Sequence, residues 1–247
     1  MTQEEAFQKL NISVDLIPAG SSNRPGTRLV PTFVTIHNTA NPAPGADAAM
    51  HARYVKGADA RARKVSWHFT VDDRRVFKHL PTNERGWHAG PGNSQSIGIE
   101  VCENKGIDTA AAIDRAALLT ALMMVAYDIE AENVVTHQSW TGKDCPRVIL
   151  RRKGGFDAFR ARAATYVEEL AATRDAATPV NGSGGPPGSG LPVLVDRGGE
   201  TSGPAGGGDR LAQLERLVVR LALENQGLRE ALEEVQGTAR ESELEAD

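Results

Sequence analysis

Phe33-Val-Thr-Ile-His-Asn-Thr-Ala40 is an apolar, β-branched run that ends in a histidine followed by turn-forming residues. β-Branched side chains pack well on a pleated sheet, so this stretch predicts a strand at residues 33–37 that presents His37 at its end. Runs of similar character predict four further strands, at residues 65–71, 75–78, 96–102 and 133–136.

Three segments have the 3.6-residue apolar period of a helix, at residues 46–55, 109–130 and 156–170. The longest, 109–130, has a predicted buried stripe formed by Ile113, Ala117, Leu118, Ala121, Leu122, Val125 and Ile129. The last helix is predicted to face inward through Phe159, Ala163, Tyr166, Val167 and Leu170. Strands separated by helices predict an α/β fold, with a central mixed β-sheet flanked by helices.

The composition of the 247-residue chain argues against a nucleic-acid binder and a membrane-spanning protein. A hydrophobic content of 40% suffices for one core, and a net charge of −4 lacks the basic footprint of a nucleic-acid binder. The sequence has no uninterrupted apolar run of about 18 residues, so we expect no membrane span. The acidic start at residues 1–5 leads into no apolar segment, so we expect no secretory signal. Cys102 and Cys145 are then expected to be reduced thiols or metal ligands.

The chain divides into three predicted segments. Residues 1–174 are mixed in composition and predict one globular domain, whereas residues 175–208 are rich in Gly, Pro and Ser and predict a flexible linker. Residues 209–247 predict a coiled-coil helix, because apolar residues repeat there every seven positions. The core positions are Leu211, Val218, Asn225 and Leu232, alternating with Leu214, Leu221, Leu228 and Val235. We expect a homodimer through this coil, with a tetramer as the alternative.

Thr136-His-Gln-Ser-Trp-Thr-Gly-Lys-Asp-Cys-Pro146 sets an imidazole, an ammonium and a thiol close together in the chain. Imidazole and thiolate are preferred ligands of zinc, and a catalytic zinc takes three protein ligands and leaves a fourth position open. His137 and Cys145 supply two ligands, and His37 is the best candidate for the third. Two other histidines remain alternatives by composition, His68 and His88.

Glu100 and Lys143 are the candidate catalytic residues. Alternation along residues 96–102 places Glu100 on the face opposite three apolar side chains. Taken alone, such a glutamate is more often salt-bridged or solvent-facing, but beside a zinc site it suits a general acid and base. Lys143 could stabilise an oxyanion, and otherwise it is an ordinary loop lysine.

Five motifs follow one another along the chain: Ile36-His-Asn-Thr-Ala40, Ser66-Trp-His-Phe69, Gly86-Trp-His-Ala-Gly90, Ser96-Ile-Gly-Ile-Glu100 and, after His137, Gly142-Lys-Asp-Cys-Pro146. In these motifs and their order, residues 20–170 resemble the zinc-dependent N-acetylmuramoyl-L-alanine amidases, the type-2 amidase family. That family includes phage endolysins, bacterial autolysins and the peptidoglycan recognition proteins.

The resemblance implies that His37, His137 and Cys145 bind zinc, that Glu100 is the catalytic acid and base, and that Lys143 stabilises the transition state. Where some members have a catalytic tyrosine, this chain has Trp67, which we expect to be only a wall. The expected substrate-binding residues are Asn38, His68, Trp87 and His88.

The implied reaction is cleavage of the amide bond between N-acetylmuramic acid and L-alanine in bacterial peptidoglycan. A phage endolysin, made in the host cytoplasm and released to the wall through a holin pore, is the expected biological role. The alternatives are a bacterial autolysin, a muropeptide-recycling amidase and a peptidoglycan-binding module without activity.

Overall fold

A six-stranded sheet lies at the centre of residues 1–176, the part of the chain that this computed structural model describes. The strands are β1 (Ile12–Val14), β2 (Phe33–Asn38), β3 (Phe69–Val71), β4 (Val76–Lys78), β5 (Ser96–Val101) and β6 (Val134–Thr136). Their order is β1-β4-β3-β5-β2-β6, and only the β3–β4 pair is antiparallel. The predicted mixed sheet is confirmed. The predicted coiled coil at 209–247 and nearly all of the predicted linker at 175–208 lie outside the described residues.

Helices cover the sheet, as expected for an α/β fold. They are α1 (Gln3–Leu10), α2 (Ala48–Val55), α3 (Ala58–Ala62), α4 (Thr109–Tyr127), α5 (His137–Thr141), α6 (Arg147–Leu150) and α7 (Gly155–Ala176), with 3₁₀ turns at Gly90–Ser94 and Ala131–Asn133. The three predicted helices correspond to α2, α4 and α7.

Helix α4 is the central core helix, packed against the sheet and against α7. It begins at the N-cap Asp108, whose carboxylate accepts from the Ala111 backbone, and it ends where Asp128 adopts a left-handed conformation with φ 55°. The helix therefore stops three residues before the predicted end. Within residues 1–176, α4 is the one helix long and apolar enough to cross a membrane, and 61% of its apolar window is buried inside the fold. Its apolar character thus belongs to the core.

Helix α7 closes the other side of α4. Its buried side chains include Phe159, Ala163, Tyr166 and Leu170, as predicted. Asp114 on α4 joins the two helices, because its carboxylate accepts from Arg162 Nε at 2.7 Å and from the Tyr166 hydroxyl at 2.7 Å. These bonds lie at the rim of the apolar contact and set the position of one helix along the other.

Several short elements were not predicted. Helix α1 begins with a capping box between Thr2 and Glu5, and α1 leads directly into the edge strand β1. Helix α3 lies within the basic stretch of residues 56–64, for which the sequence gives no helical period. The predicted strand at 65–71 is regular only from Phe69, since Ser66 forms an isolated bridge with Trp87.

The register of the sheet decides which residues meet at its carboxyl edge. Strand β2 lies between β5 and β6, and both neighbours run parallel to it. His37 pairs with Glu100 across the β2–β5 ladder, and Ile36 pairs with Thr136 across the β2–β6 ladder. Parallel strands in open α/β sheets commonly present ligand sites at this edge.

Candidate functional site

The end of strand β6 delivers His137 beside His37. His137 directly follows Thr136 and is the first residue of helix α5, where the Thr136 hydroxyl caps the helix by accepting from the Ser139 backbone. Helix α5 ends at Gly142, whose φ of 77° lies in the left-handed region that glycine readily adopts. The chain then folds back, so that Gln138 donates its backbone N–H to the Cys145 carbonyl at 2.9 Å.

Two imidazoles and one thiol meet at this point. The Nδ1 atoms of His37 and His137 lie 3.1 Å apart, and Cys145 Sγ lies 3.9 Å from His37 Nδ1. The three donor atoms all lie within 4.8 Å of one another. The donor set fits zinc, which takes such nitrogen and sulfur ligands and in catalytic sites needs three of them. The alternatives His68 and His88 lie outside this cluster.

Burial is the main cause of the pKa shifts of His37, His137 and Cys145. It lowers the pKa of His37 well below its usual range, and nearby imidazoles and Lys143 lower it further. Burial, followed by the charge of Lys143, also lowers the pKa of His137. Both rings are therefore neutral, as metal ligation requires. Burial raises the pKa of Cys145 to about 11, so the thiol needs a nearby cation to ionise.

Glu100 lies at the edge of this cluster. Its Oε1 is 3.9 Å from His37 Nδ1, its side chain is 15% exposed, and its Oε2 is buried with no hydrogen-bond partner in the protein. Burial raises the pKa of this carboxyl to about 8, with the charge of Lys143 acting in the opposite direction. Glu100 is therefore not the salt-bridged, solvated glutamate of the simpler interpretation, and its carboxyl is available to a bound molecule.

A cavity of about 540 Å³ opens over these groups. Its lining includes Glu100, His137, Lys143 and three of the four expected substrate-binding residues, Asn38, Trp87 and His88. Trp67 also forms part of the wall, and its indole N–H donates to Thr70 Oγ1 at 2.7 Å. The candidate acid Glu100, the cation Lys143 and one of the three metal donors, His137, thus share one pocket.

Two of the expected substrate-binding residues have other bonds. Asn38 lines the pocket, but its amide donates to the Val101 carbonyl at 3.2 Å and accepts from the Val148 backbone at 3.0 Å. His68 is fully buried and is not part of the lining: its Nδ1 accepts from the Gly98 backbone at 2.9 Å, and its Nε2 lies 2.8 Å from the Glu84 carbonyl. The structure therefore places His68 outside the pocket lining, and its expected substrate contact stays a prediction.

One pocket wall was not predicted. It comes from α2 and α3 and includes His51, Tyr54, Asp59 and Arg63. The Tyr54 hydroxyl donates to Asp59 Oδ2 at 2.8 Å, which links the two helices. The helical spacing of His51 and Tyr54 indicates a shared face, but no local signal shows that this face covers the site.

A family profile and a curated relative, both described as N-acetylmuramoyl-L-alanine amidases, match this sequence. The family profile described as N-acetylmuramoyl-L-alanine amidase matches residues 26–148. N-acetylmuramoyl-L-alanine amidase XlyA from Bacillus subtilis (strain 168) is 50% identical over 156 residues, which cover 62% of this chain and 50% of XlyA. This chain thus spans half the length of that curated relative.

Solved structures agree with the sequence comparison. The catalytic domain of XlyA has a TM-score of 0.58 at 49% identity, and the match covers 62% of this chain and 99% of that domain. A mutant endolysin from Bacillus subtilis has a TM-score of 0.58 at 48% identity, with the same coverage of this chain and 99% of its own.

Proposed function

The chain belongs to the N-acetylmuramoyl-L-alanine amidase family, and from that premise we propose that it hydrolyses the amide between N-acetylmuramic acid and L-alanine in peptidoglycan. The observation that carries the proposal is a three-donor cluster, one member of which lines an open pocket together with a carboxyl that has an unpartnered oxygen.

We further propose that His37, His137 and Cys145 hold a zinc ion. The support is the donor set itself, two neutral imidazole nitrogens and a thiol within 4.8 Å of one another. Bound there, zinc would supply a Lewis acid for the scissile carbonyl and would lower the pKa of water near neutrality.

The remaining chemistry belongs to side chains of the pocket. In its carboxylate form, which the nearby positive charge of Lys143 favours, Glu100 accepts a proton from the attacking water and then delivers it to the alanine nitrogen as that amine leaves. Its side chain is 15% exposed and lines the pocket, so the carboxyl can reach a bound substrate. Lys143 lies in the same lining, where its ammonium stabilises the negative charge that develops on the carbonyl oxygen.

The experiment is the replacement Glu100→Gln, which keeps the side-chain volume and removes the proton acceptor. We expect loss of activity on purified cell walls while the zinc content by metal analysis stays at the wild-type level. Retention of wild-type activity would remove Glu100 from the mechanism.

The biological role that we infer is host-cell lysis by a phage endolysin acting on the cell wall. The support is the 48% identity to a protein described as an endolysin. Mass spectrometry of digested sacculi tests this role, because an endolysin releases stem peptides from intact glycan. Activity confined to soluble muropeptides would instead indicate a recycling amidase, and binding without cleavage would indicate a recognition module.

For residues 209–247, which lie outside the described part of the chain, the heptad pattern supports a proposal of homodimerisation. Tethering two catalytic domains would raise avidity for a polymeric wall. Light scattering of the full chain at micromolar concentration is expected to give the dimer mass. A monomer mass would refute the proposed coil.

A further inference from the structure

We propose that His88 is a positioning residue that fixes the tautomer of His37, so that the lone pair of His37 Nδ1 points into the donor cluster. The inference rests on the proposed metal site but not on the proposed substrate. It assigns His88 a role different from the expected substrate contact.

The two ring nitrogens of His37 face different partners. On one side, Nδ1 lies 3.1 Å from His137 Nδ1 and 3.9 Å from Cys145 Sγ. On the other side, Nε2 lies 3.0 Å from His88 Nδ1, and the His37 and His88 rings meet edge to face with centroids 5.1 Å apart. A neutral imidazole carries one N–H and one lone pair, so whichever nitrogen bears the hydrogen decides whether His37 can bind a metal through Nδ1.

A backbone carbonyl settles the direction of this bond. His88 Nε2 lies 3.3 Å from the Ser96 carbonyl oxygen, which can only accept a hydrogen bond. In a neutral ring, His88 therefore carries its hydrogen on Nε2 and offers the lone pair of Nδ1. His37 must then donate from Nε2, which leaves its own Nδ1 bare toward the donor cluster. A hydrogen bond from the second ring nitrogen of a metal-binding histidine is the usual means of fixing its tautomer.

The surroundings of His88 hold the ring in place. Asn93 Oδ1 accepts from the backbone N–H groups of both His88, at 2.8 Å, and Ala89, at 2.6 Å. The ring lies directly on Gly98 of β5, where an added Cβ would come within 2.7 Å of His88 Nδ1. Any larger residue at position 98 would therefore collide with the His88 ring. Gly98 lies between Ser96 and Glu100 on the same strand.

The ring next to His88, that of His68, is also held in a single tautomer. The ring of His68 meets that of His88 edge to face, with centroids 5.8 Å apart. His68 Nδ1 accepts from the Gly98 backbone, so its hydrogen lies on Nε2, which donates to the Glu84 carbonyl. Both hydrogen-bonding positions of His68 are thus committed to backbone groups.

The first test is the tautomer of His37 in the metal-free full chain, measured by long-range ¹H–¹⁵N correlation of the imidazole nitrogens. We expect a protonated Nε2 and a bare Nδ1 on both His37 and His88. A hydrogen on His37 Nδ1 would overturn the proposal. This readout needs neither metal nor catalysis, so a failed tautomer assignment is distinguishable from a failed amidase or a failed zinc site.

The second test is zinc affinity by competition with a chelator, using two opposed replacements of His88. His88→Asn keeps an acceptor oxygen at the δ position and loses ring volume, whereas His88→Phe keeps the ring and loses the acceptor. We expect His88→Phe to weaken zinc binding about 10–100-fold and His88→Asn to retain most of the affinity. The reverse order, with Phe tolerated and Asn not, would mean that the ring acts only by packing and would refute the positioning role.

Discussion

Acid should destabilise this protein in part through His79, a fully buried histidine away from the donor cluster. Its Nε2 lies 2.9 Å from Thr70 Oγ1, and its Nδ1 lies 3.4 Å from the Asp15 carbonyl. Thr70 Oγ1 already accepts from the Trp67 indole, so its own hydrogen is directed to His79 Nε2. A proton on Nε2 would break this arrangement. Burial, opposed by the bond to Asp15, lowers the pKa of His79 from 6.5 to about 4.

The sign of the effect follows from linkage. Between pH 6.5 and about 4 the unfolded chain binds a proton at His79 that the folded chain does not, so the free energy of unfolding falls as pH falls. The stability contribution is fully present above pH 6.5 and is lost on approach to pH 4. The difference between the folded and unfolded pKa values of His79 corresponds to about 3 kcal/mol in the free energy of unfolding. About 2 kcal/mol of this is lost by pH 5.

The assay is urea unfolding of the full chain with a chelator at pH 8 and at pH 5, for the wild type and for His79→Gln. The variant loses packing at both pH values, but its loss of stability between them should be smaller by about 2 kcal/mol. His68, whose pKa burial also lowers to about 4, remains in both proteins and cancels in the comparison. Equal pH dependence in the two proteins would refute the reasoning.

Three further predictions concern metal content and stability. Cys145→Ser should lower the zinc retained after dialysis, measured by metal analysis, while circular dichroism stays unchanged; full retention would exclude the thiol as a ligand. Gly92→Ala should lower stability by about 1–3 kcal/mol by overpacking, measured by calorimetry, because the new Cβ would lie 2.7 Å from the Trp140 ring; an unchanged melting temperature would contradict this contact. Arg147→Met should cost about 2–3 kcal/mol in urea unfolding, since it leaves the 3%-exposed Glu103 unpaired while Arg147 itself is 38% exposed. Replacing Glu103 by Gln in the same chain should recover part of that loss, and no recovery would argue against the ion pair.

The regular core could be predicted because burial leaves a period in the sequence. Strands β2 and β5 and helices α4 and α7 are long enough for that period to be visible, and their positions agree with the predictions. Helix α3 has five residues and β1 has three, too few for a period. Helix α1 had a usable signal, since Thr2 and Glu5 have the spacing of a capping box.

The candidate site divides in the same way. The donor residues could be proposed from chemistry and motif order, because imidazole and thiol are uncommon and specific groups. His68 and His88 could not be distinguished by composition, since each follows a tryptophan in a short motif. The path of the chain after Glu84 distinguishes them. It brings the His88 ring against His37, whereas His68 is bonded to the Glu84 carbonyl and lies outside the pocket lining. That path depends on contacts far apart in sequence.

Motifs that are separate in the sequence form one hydrogen-bonded unit in the structure. The Trp140 indole on α5 donates to Thr35 Oγ1 at 2.9 Å, and that hydroxyl donates to Ser96 Oγ at 2.9 Å. Ser96 Oγ donates in turn to the Gly92 carbonyl at 2.8 Å, while the Ser96 carbonyl faces His88. Ser96 is therefore linked through Thr35 to the helix that begins with one proposed ligand, and directly through its carbonyl to the ring that orients another. Because the proposed ligands are held through shared partners, a substitution that shifts β5 at this residue should disturb both imidazoles together.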